Sequence, residues 1–272
     1  MRNRRTDNLI EIAIAAGILF ASLALRWRYL ELNPMLYRDS ALYCHIATAW
    51  SQTGDFELAS ENFGSTAPFY IYLLKIGVDC GISAITWGRG LAFFFSGAFV
   101  VAFYFLGKQL FPGRRDGALI CMFLAGTHPV IGRLSVGLLR EGPFLMLAAF
   151  AMVAFVRTFK TGSVKAALSC GVLLGAAMLT RHEAVELLLL GAAALLPWRW
   201  KNEAKDDVAV SKSVADVQIP PAAKAKALLR GSLPSLSMMA GAFATVVALL
   251  LLTGVPLSFL IQYWSKLDKV RF

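Results

Sequence analysis

The chain has 272 residues, of which 57% are hydrophobic and only 16% are charged. This apolar fraction is higher than that of ordinary soluble domains, so it excludes a soluble enzyme and predicts a polytopic membrane protein. The formal net charge of +10 does not indicate nucleic-acid binding, because the basic residues are dispersed at the ends of apolar segments. This distribution is typical of topology signals and of contacts with anionic lipids.

Seven apolar segments are predicted to cross the membrane as helices. The first follows a basic N-terminus and lacks a small-residue cleavage site, so we interpret it as a retained anchor rather than a cleaved signal. Several segments are shorter than the roughly 20 residues that a straight spanning helix needs, so their ends are expected to extend into flanking residues. The predicted spans are 9–25, 90–110, 118–134, 144–159, 166–179, 184–198 and 233–252.

The distribution of Lys and Arg predicts the topology of these spans. With the N-terminus in the cytoplasm, every strongly basic short loop falls on the cytoplasmic side. This arrangement requires that residues 68–86 do not cross the membrane, and Lys75, Asp79 and two glycines in that stretch favour an interfacial helix. Residues 26–89 then form a long first periplasmic loop with juxtamembrane helices, and residues 199–232 a flexible cytoplasmic linker. Both belong to one transmembrane module, residues 1–272.

The cysteines and the known catalytic motifs add little. Cys44 and Cys80 lie in the predicted periplasmic loop, where an oxidising compartment would allow a disulfide, and the sequence leaves this open. Cys121 and Cys170 fall in predicted spans and are interpreted as small apolar side chains. The sequence contains no zinc spacing, no glycine-rich phosphate loop and no Gly-x-Ser-x-Gly elbow, so it does not support cytosolic nucleotide chemistry.

Polar residues interrupt the apolar pattern at four places, all on the predicted outer side. A carboxylate at the edge of a bilayer is costly unless it has a partner or a function, so we expect these residues to gather in an outward-facing cavity. The four places are Arg38-Asp39, His128-Pro129, Arg140-Glu141 and Arg181-His182-Glu183.

Each carboxylate has two interpretations. Asp39 is suited to act as a general base towards an attacking hydroxyl or amine, or it pairs with Arg38 or caps a helix that starts at Ser40. Glu141 is predicted to begin a helix with Pro143 in its first turn, where its carboxylate either caps the helix or binds an acceptor or a metal.

The two basic positions are treated differently. The planar guanidinium of Arg181 suits a phosphate of a lipid carrier, and the alternative is interfacial snorkelling or an ion pair with Glu183. His128 is interpreted as a hydrogen-bonded packing residue beside a kink at Pro129, and it is left out of the candidate site.

The order of these motifs resembles the polytopic glycosyltransferases of the GT-C fold, in particular the bacterial family 39 enzymes related to protein O-mannosyltransferases and aminoarabinose transferases. The resemblance begins with the acidic motif Arg38-Asp39-Ser40-Ala-Leu-Tyr43, which follows the first span, and extends over residues 9–190. It includes Ser65-Thr-Ala-Pro-Phe-Tyr70, Arg89-Gly-Leu-Ala92, Gly107-Lys-Gln-Leu-Phe111, His128-Pro129, Leu139-Arg-Glu141 and Gly175-Ala-Ala-Met-Leu-Thr-Arg181.

The resemblance implies transfer of a sugar from a polyprenyl-phosphate donor to a lipid, glycan or protein acceptor on the outer face, with inversion at the anomeric carbon. Asp39 takes the catalytic position and Glu141 the acidic position near the acceptor or a metal. Arg181 takes the basic position near the carrier phosphate, to which Arg38 is also assigned. Further candidates are Tyr43, His182 and Glu183.

Two departures from the family pattern leave alternatives open. Ser40 stands where many relatives carry a second carboxylate, so no metal ligand or cofactor is assigned and a divalent metal stays open. The chain is also shorter than such enzymes usually are, so we expect a fragment, a truncated product or half of a split enzyme. The alternative function is a non-catalytic membrane subunit that binds a polyprenyl lipid or supports a full-length transferase. The expected location is the bacterial inner membrane with a periplasmic site, with membrane lipids and no nucleic acid as partners.

Overall fold

The computed structural model describes residues 4–32, 37–61, 68–195 and 221–255, which are almost entirely helical and contain no strand. This confirms the predicted all-α class. The helices in these ranges are α1 (Arg4–Leu32), α2 (Arg38–Thr53), α3 (Phe56–Ser60), α4 (Pro68–Asp79), α5 (Ala84–Leu110), α6 (Arg115–Thr127), α7 (Pro129–Val136), α8 (Glu141–Thr161), α9 (Val164–Met178), α10 (Ala184–Leu195) and α11 (Pro221–Thr253).

Four of the described helices are long and apolar enough to cross a membrane, namely α1, α5, α8 and α11. The pair formed by α6 and α7 raises this number to five if the two are counted as one bent span. Helices α9 and α10 are apolar but short. With 15 residues, α9 is about 22 Å long at 1.5 Å per residue, less than the hydrocarbon thickness of about 30 Å. The predicted count of seven spans is therefore not confirmed.

The predicted span 118–134 is broken at His128. Helices α6 and α7 meet there at an angle of 60°, which confirms the kink expected at Pro129. Proline has no backbone N–H and cannot continue the hydrogen-bond ladder of a helix. His128 caps α7, because its Nδ1 accepts a hydrogen bond of 3.3 Å from the Ile131 amide. The expected hydrogen bond of His128 is therefore present, but its side chain is exposed rather than packed.

Helices α9 and α11 approach each other closely through glycines. A Cβ on Gly175 would lie 2.5 Å from the Ala242 carbonyl oxygen, and one on Gly241 would lie 2.7 Å from the Leu168 carbonyl oxygen. Small residues at such crossings let two backbones come into contact, which is a main source of helix association within membranes. This contact holds α9 in place up to the turn that carries Arg181.

The short helices α2, α3 and α4 form a layer at one end of the bundle, which we call the outer end. Their buried core is centred on Ile46, Trp50, Ile71 and Leu74, and it includes Leu138 and Leu179 from the segments before α8 and after α9. The Phe69 amide donates a hydrogen bond of 3.3 Å to the Leu179 carbonyl. The packing of this layer thus places α2 and α4 beside the ends of α8 and α9.

The outer layer has its own polar ties. Asp79 at the end of α4 accepts a hydrogen bond of 2.6 Å from Ser51 on α2 and pairs with Lys75 at 2.5 Å. Cys44 is buried, Cys80 is exposed and both are free thiols, so no disulfide joins them. The 12-residue helix α4 is not among the candidate spans, but the position of this layer at the membrane surface stays a prediction.

Candidate functional site

Glu141 is the first residue of α8, as predicted, with Pro143 in the first turn. The position before the helix is occupied by Arg140, and no side chain caps α8. The Glu141 carboxylate points to another helix end instead, because its Oε1 accepts a hydrogen bond of 2.9 Å from Nη1 of Arg181. Its Oε2 is buried and has no hydrogen-bond partner among the described residues.

Arg181 lies in the turn between α9 and α10. The turn is tight because the amides of Thr180 and Arg181 both donate to the Ala177 carbonyl, each at 2.9 Å. The Arg181 guanidinium contacts Glu141 on one side and Glu183 on the other, with Nε 3.1 Å and 3.2 Å from the two Glu183 oxygens. The expected alternative, an ion pair with Glu183, is therefore confirmed, and Arg181 bridges that carboxylate to a second one.

The electrostatics of the turn keep its carboxylate ionised. Burial by itself would raise the pKa of Glu183, but hydrogen bonds from Arg181 and its own backbone amide, with the charges of Arg181 and His182, lower that pKa to about 2. Nδ1 of His182 lies 3.6 Å from a Glu183 oxygen. The guanidinium also lies 5.7 Å from the centre of the Phe144 ring, within the range of a cation–π contact.

Two tyrosines connect the acidic cluster to α2. Tyr43 on α2 packs edge-to-face on Tyr70 of α4, with ring centres 5.9 Å apart. Burial raises the pKa of Tyr70 well above its usual range, and the charges of Cys44, Tyr43 and Glu141 add to this effect. Tyr70 is therefore a near neighbour of Glu141. The sequence placed Tyr70 in a family-like motif but not among the candidate site residues.

Asp39 and Arg38 are not joined to this cluster by any hydrogen bond or ion pair among the described residues. Helix α2 begins at Arg38 and not at Ser40, and its cap position is Tyr37 without a side-chain hydrogen bond, so the prediction that Asp39 caps the helix is wrong. Both side chains are exposed, one turn before Tyr43, and no ion pair joins them in the described part of the chain. No hydrogen bond among the described residues links Asp39 to Glu141 or Arg181.

Three buried polar atoms at the outer end have no hydrogen-bond partner within the described ranges. They are Oγ of Ser40, Nε of Arg89 and Oε2 of Glu141. Such atoms are rare in folded proteins, and each costs free energy unless a ligand or water satisfies it. Arg89 belongs to α5 and follows Gly88, which packs against Leu138 just before α8. Arg89 was not among the predicted site residues, because nothing in its local sequence indicates that its Nε is buried.

The cluster thus consists of Glu141, Arg181, His182 and Glu183, while Tyr43 lies on α2, Tyr70 on α4 and Arg89 on α5. Among the described residues, no group of three His, Cys, Asp or Glu side chains is arranged to hold a metal ion. The two glutamates of the cluster are instead oriented towards the Arg181 cation. The arrangement offers the Arg181 guanidinium for an anion and the unsatisfied Oε2 of Glu141 for a hydroxyl.

The sequence profile described as dolichyl-phosphate-mannose-protein mannosyltransferase matches residues 65–210. This range contains Arg89, Glu141 and Arg181, whereas Arg38, Asp39 and Tyr43 precede it. Comparisons with curated proteins and with solved structures found no match. The family comprises membrane glycosyltransferases of the GT-C type, and the helical architecture agrees with that class. Because the match covers more than half of its residues, the chain belongs to the dolichyl-phosphate-mannose-protein mannosyltransferase family.

Proposed function

We propose that the protein transfers a sugar from a polyprenyl-phosphate donor to a lipid, glycan or protein acceptor on the periplasmic face of a bacterial inner membrane. The observation that carries the proposal is the bridge from Glu141 through Arg181 to Glu183 at the outer end, together with the buried and unsatisfied Oε2 of Glu141. Membership of a glycosyltransferase family supports the reaction class, and the apolar helices support the membrane location.

In this proposal the cations bind the phosphate of the donor. A guanidinium forms several parallel hydrogen bonds to phosphate oxygens, and such charge-assisted bonds are strong where water is scarce. Arg181 is already oriented by Glu141, and Glu183 is the more exposed of its two partners. A phosphate therefore displaces Glu183 in part, while Glu141 keeps the guanidinium in position. Arg38 contributes a further positive charge from the start of α2.

The carboxylates act on the hydroxyl groups. The acceptor oxygen attacks the anomeric carbon, its proton passes to the Asp39 carboxylate, and the polyprenyl phosphate leaves with the electron pair of the broken carbon–oxygen bond. Attack opposite the leaving phosphate inverts the anomeric carbon. The unsatisfied Oε2 of Glu141 accepts a hydrogen bond from a hydroxyl of the sugar or the acceptor. Tyr43, His182 and Glu183 form the walls of this site.

One observation favours a second candidate function. Asp39 is exposed, lies outside the family match and has no described hydrogen bond to the cluster. A protein in which only Glu141, Arg181 and Arg89 were functional would bind a polyprenyl phosphate without transferring its sugar. It would then serve as a lipid-binding subunit of a larger transferase.

The two candidates are separated by Asp39→Asn. Membranes that contain the protein are supplied with a panel of radiolabelled polyprenyl-phosphate sugars, and transfer to endogenous acceptors is measured at matched protein levels. A general base contributes about 100-fold or more to such a reaction, so we expect transfer to fall by at least that factor. The matched control is Asp116→Asn, since Asp116 is also exposed and is the second residue of its helix after an arginine.

The outcomes point in different directions. Loss of transfer in Asp39→Asn with normal transfer in Asp116→Asn supports an enzyme that uses Asp39. Full transfer in Asp39→Asn contradicts its role as the base. A wild-type protein that binds the labelled lipid but transfers nothing supports the lipid-binding subunit instead.

A further inference from the structure

Arg26 on α1 is completely buried. It was not among the predicted site residues. Its Nη1 donates to the carbonyl oxygens of Ser22 at 3.0 Å and Gly126 at 2.7 Å, and its Nη2 donates to that of Ala125 at 3.5 Å. Its Nε donates to Oγ of Ser96 on α5. No carboxylate among the described residues pairs with this cation. A buried charge without a counter-ion is costly, so the four acceptors must replace both water and an anion.

The break at His128 explains why two of these acceptors are available. In a continuous helix the amide of residue 129 would bond to the Ala125 carbonyl and that of residue 130 to the Gly126 carbonyl. Pro129 has no N–H, and Val130 belongs to α7, which turns away by 60°. Arg26 supplies donors to both carbonyls, which also carry the partial negative charge at the C-terminal end of α6.

A second chain of hydrogen bonds runs from Arg26 to α7. Ser96, which accepts from Arg26, donates to Oγ of Ser135 at 3.0 Å, and Ser135 donates to the Gly132 carbonyl at 3.1 Å. All these groups are buried, where a hydrogen-bond chain is stronger and better ordered than in water. One guanidinium therefore connects α1, α5, α6 and α7 at the break.

This connection leads to the candidate site. Only residues 137–140 separate α7 from Glu141, and Gly142 packs near Phe95 of α5 and the Ser135 carbonyl oxygen. A movement of α7 would displace the start of α8. It would therefore also displace the Glu141 carboxylate, which orients Arg181. We propose that Arg26 is a positioning residue that holds the bent α6–α7 pair and thereby places Glu141 against Arg181. The effect on transfer rests on the proposed function, whereas the effect on geometry does not.

The geometry is tested by a distance between two spin labels, in purified full-length protein in nanodiscs. One label is attached to the native, exposed Cys80 and the other to Arg133→Cys on α7, in a Cys121→Ser background. Arg133 lies five residues after the break, so straightening of the 60° bend would displace it by about 7 Å at 1.5 Å per residue. We expect one narrow distance distribution with Arg26 present, and a broadened or shifted one in Arg26→Met.

Milder variants keep this test decisive if Arg26→Met fails to fold. Ser135→Ala cuts the link to α7 and leaves all four acceptors of Arg26 in place, whereas Ser96→Ala also removes the acceptor of Nε; both should broaden the distribution. The control is Thr158→Val, which removes a buried hydroxyl that bonds only to the Ala154 carbonyl of its own helix. A distribution that stays unchanged in Arg26→Met, or in both serine variants, overturns the proposal.

The effect on catalysis is tested with a polyprenyl-phosphate sugar that the wild type accepts. A misplacement of about 1 Å at a reacting group can cost about 100-fold in rate, so Arg26→Met should lower kcat by 10- to 100-fold and leave the donor KM within about twofold. Arg26→Lys, which keeps one donor for Gly126, should restore part of kcat. An unchanged kcat per folded molecule overturns the positioning role. If the wild type transfers no sugar at all, the proposed function fails, while the distance measurement still decides the role of Arg26.

Discussion

At the scale of single residues, the site depends on one guanidinium that two carboxylates share. Arg181 holds Glu141 and Glu183 from opposite sides, and all three side chains are only partly exposed. With two carboxylates and one guanidinium, these three side chains carry one more negative than positive charge. An arginine in such a position is not replaced by lysine without loss, because a point charge cannot form parallel hydrogen bonds to two partners.

The shifted pKa of Glu183 predicts a dependence of stability on acid. Because the folded-state pKa is lowered from 4.5 to about 2, the stabilising effect is complete above pH 4.5 and is lost as the pH falls towards 2. Glu183→Gln should therefore lower the Tm at pH 7 by a few degrees and flatten the Tm profile between about pH 5 and pH 2. Thermal unfolding of the detergent-solubilised protein across this range measures both effects.

The control for this prediction is Glu186→Gln, which removes an exposed carboxylate from the nearby helix α10. Its Tm profile should follow that of the wild type throughout. Equal acid sensitivity of wild type and Glu183→Gln would show that the bridge to Arg181 does not contribute to stability in solution.

At the scale of helices, the position of the site depends on close packing in the bundle. The C-terminal end of α9 leads directly into the turn of Arg181, and α9 is held against α11 by glycines whose backbones are in contact. Helix α9 was predicted as a span from its composition. Its packing on α11 could not be predicted, because a Gly-rich apolar sequence does not show which neighbour it faces.

Gly175→Leu is expected to separate α9 from α11. A Cβ there would lie 2.5 Å from the Ala242 carbonyl oxygen, so the helices must move apart, at a cost of about 1–3 kcal/mol for overpacking. At about 2–4 °C per kcal/mol, the Tm should fall by roughly 5 °C. Size-exclusion chromatography after heating measures this change.

Gly17→Leu on α1 is the control, since a Cβ at Gly17 meets nothing within 4 Å, and it should leave the Tm unchanged or slightly raised. Equal Tm values for both variants would contradict the importance of the contact.

At the scale of the whole molecule, the proposed reaction requires that the outer layer and the Arg181 cluster face the periplasm. The layer of α2–α4 packs on the segments that carry Glu141 and Arg181, so all of them lie at the same end of the helix bundle. The loop between α5 and α6 lies at the other end of α5, because this helix of 27 residues is long enough to cross.

The topology predicts which cysteines a membrane-impermeant maleimide labels in intact cells. The exposed native Cys80, which follows α4, should react from the periplasm. A cysteine introduced at the exposed Arg114, in the loop before α6, should react only after the cells are permeabilised. Labelling is measured by a gel shift in a Cys121→Ser background, and the Arg114→Cys protein also carries Cys80→Ser, so that each protein has one accessible thiol. The reverse pattern would place the candidate site in the cytoplasm and contradict the proposed donor and acceptor.

The sequence by itself determined the features that depend on local pattern and composition. Apolar content decided the membrane class, Pro143 with the Glu141 carboxylate decided the start of α8, and Pro129 decided the kink. The order of motifs along the chain indicated the family. Helix starts and kinks follow from residues within a few positions of one another, because backbone conformation and helix termination are local properties.

Only the tertiary structure decided which distant residues meet. The ion pair of Glu141 with Arg181 joins positions 40 residues apart, and Arg26 reaches carbonyls about 100 residues away. The sequence placed Arg26 at the edge of a span, where an arginine would normally extend its side chain to the interface. Burial of Arg26 depends on the carbonyls exposed by a break in another helix, and the pairing of Arg181 with Glu141 depends on how the starts and ends of α8 and α9 meet. Neither can be read from local sequence, since contacts between helices are set by their relative positions rather than by their periodicity.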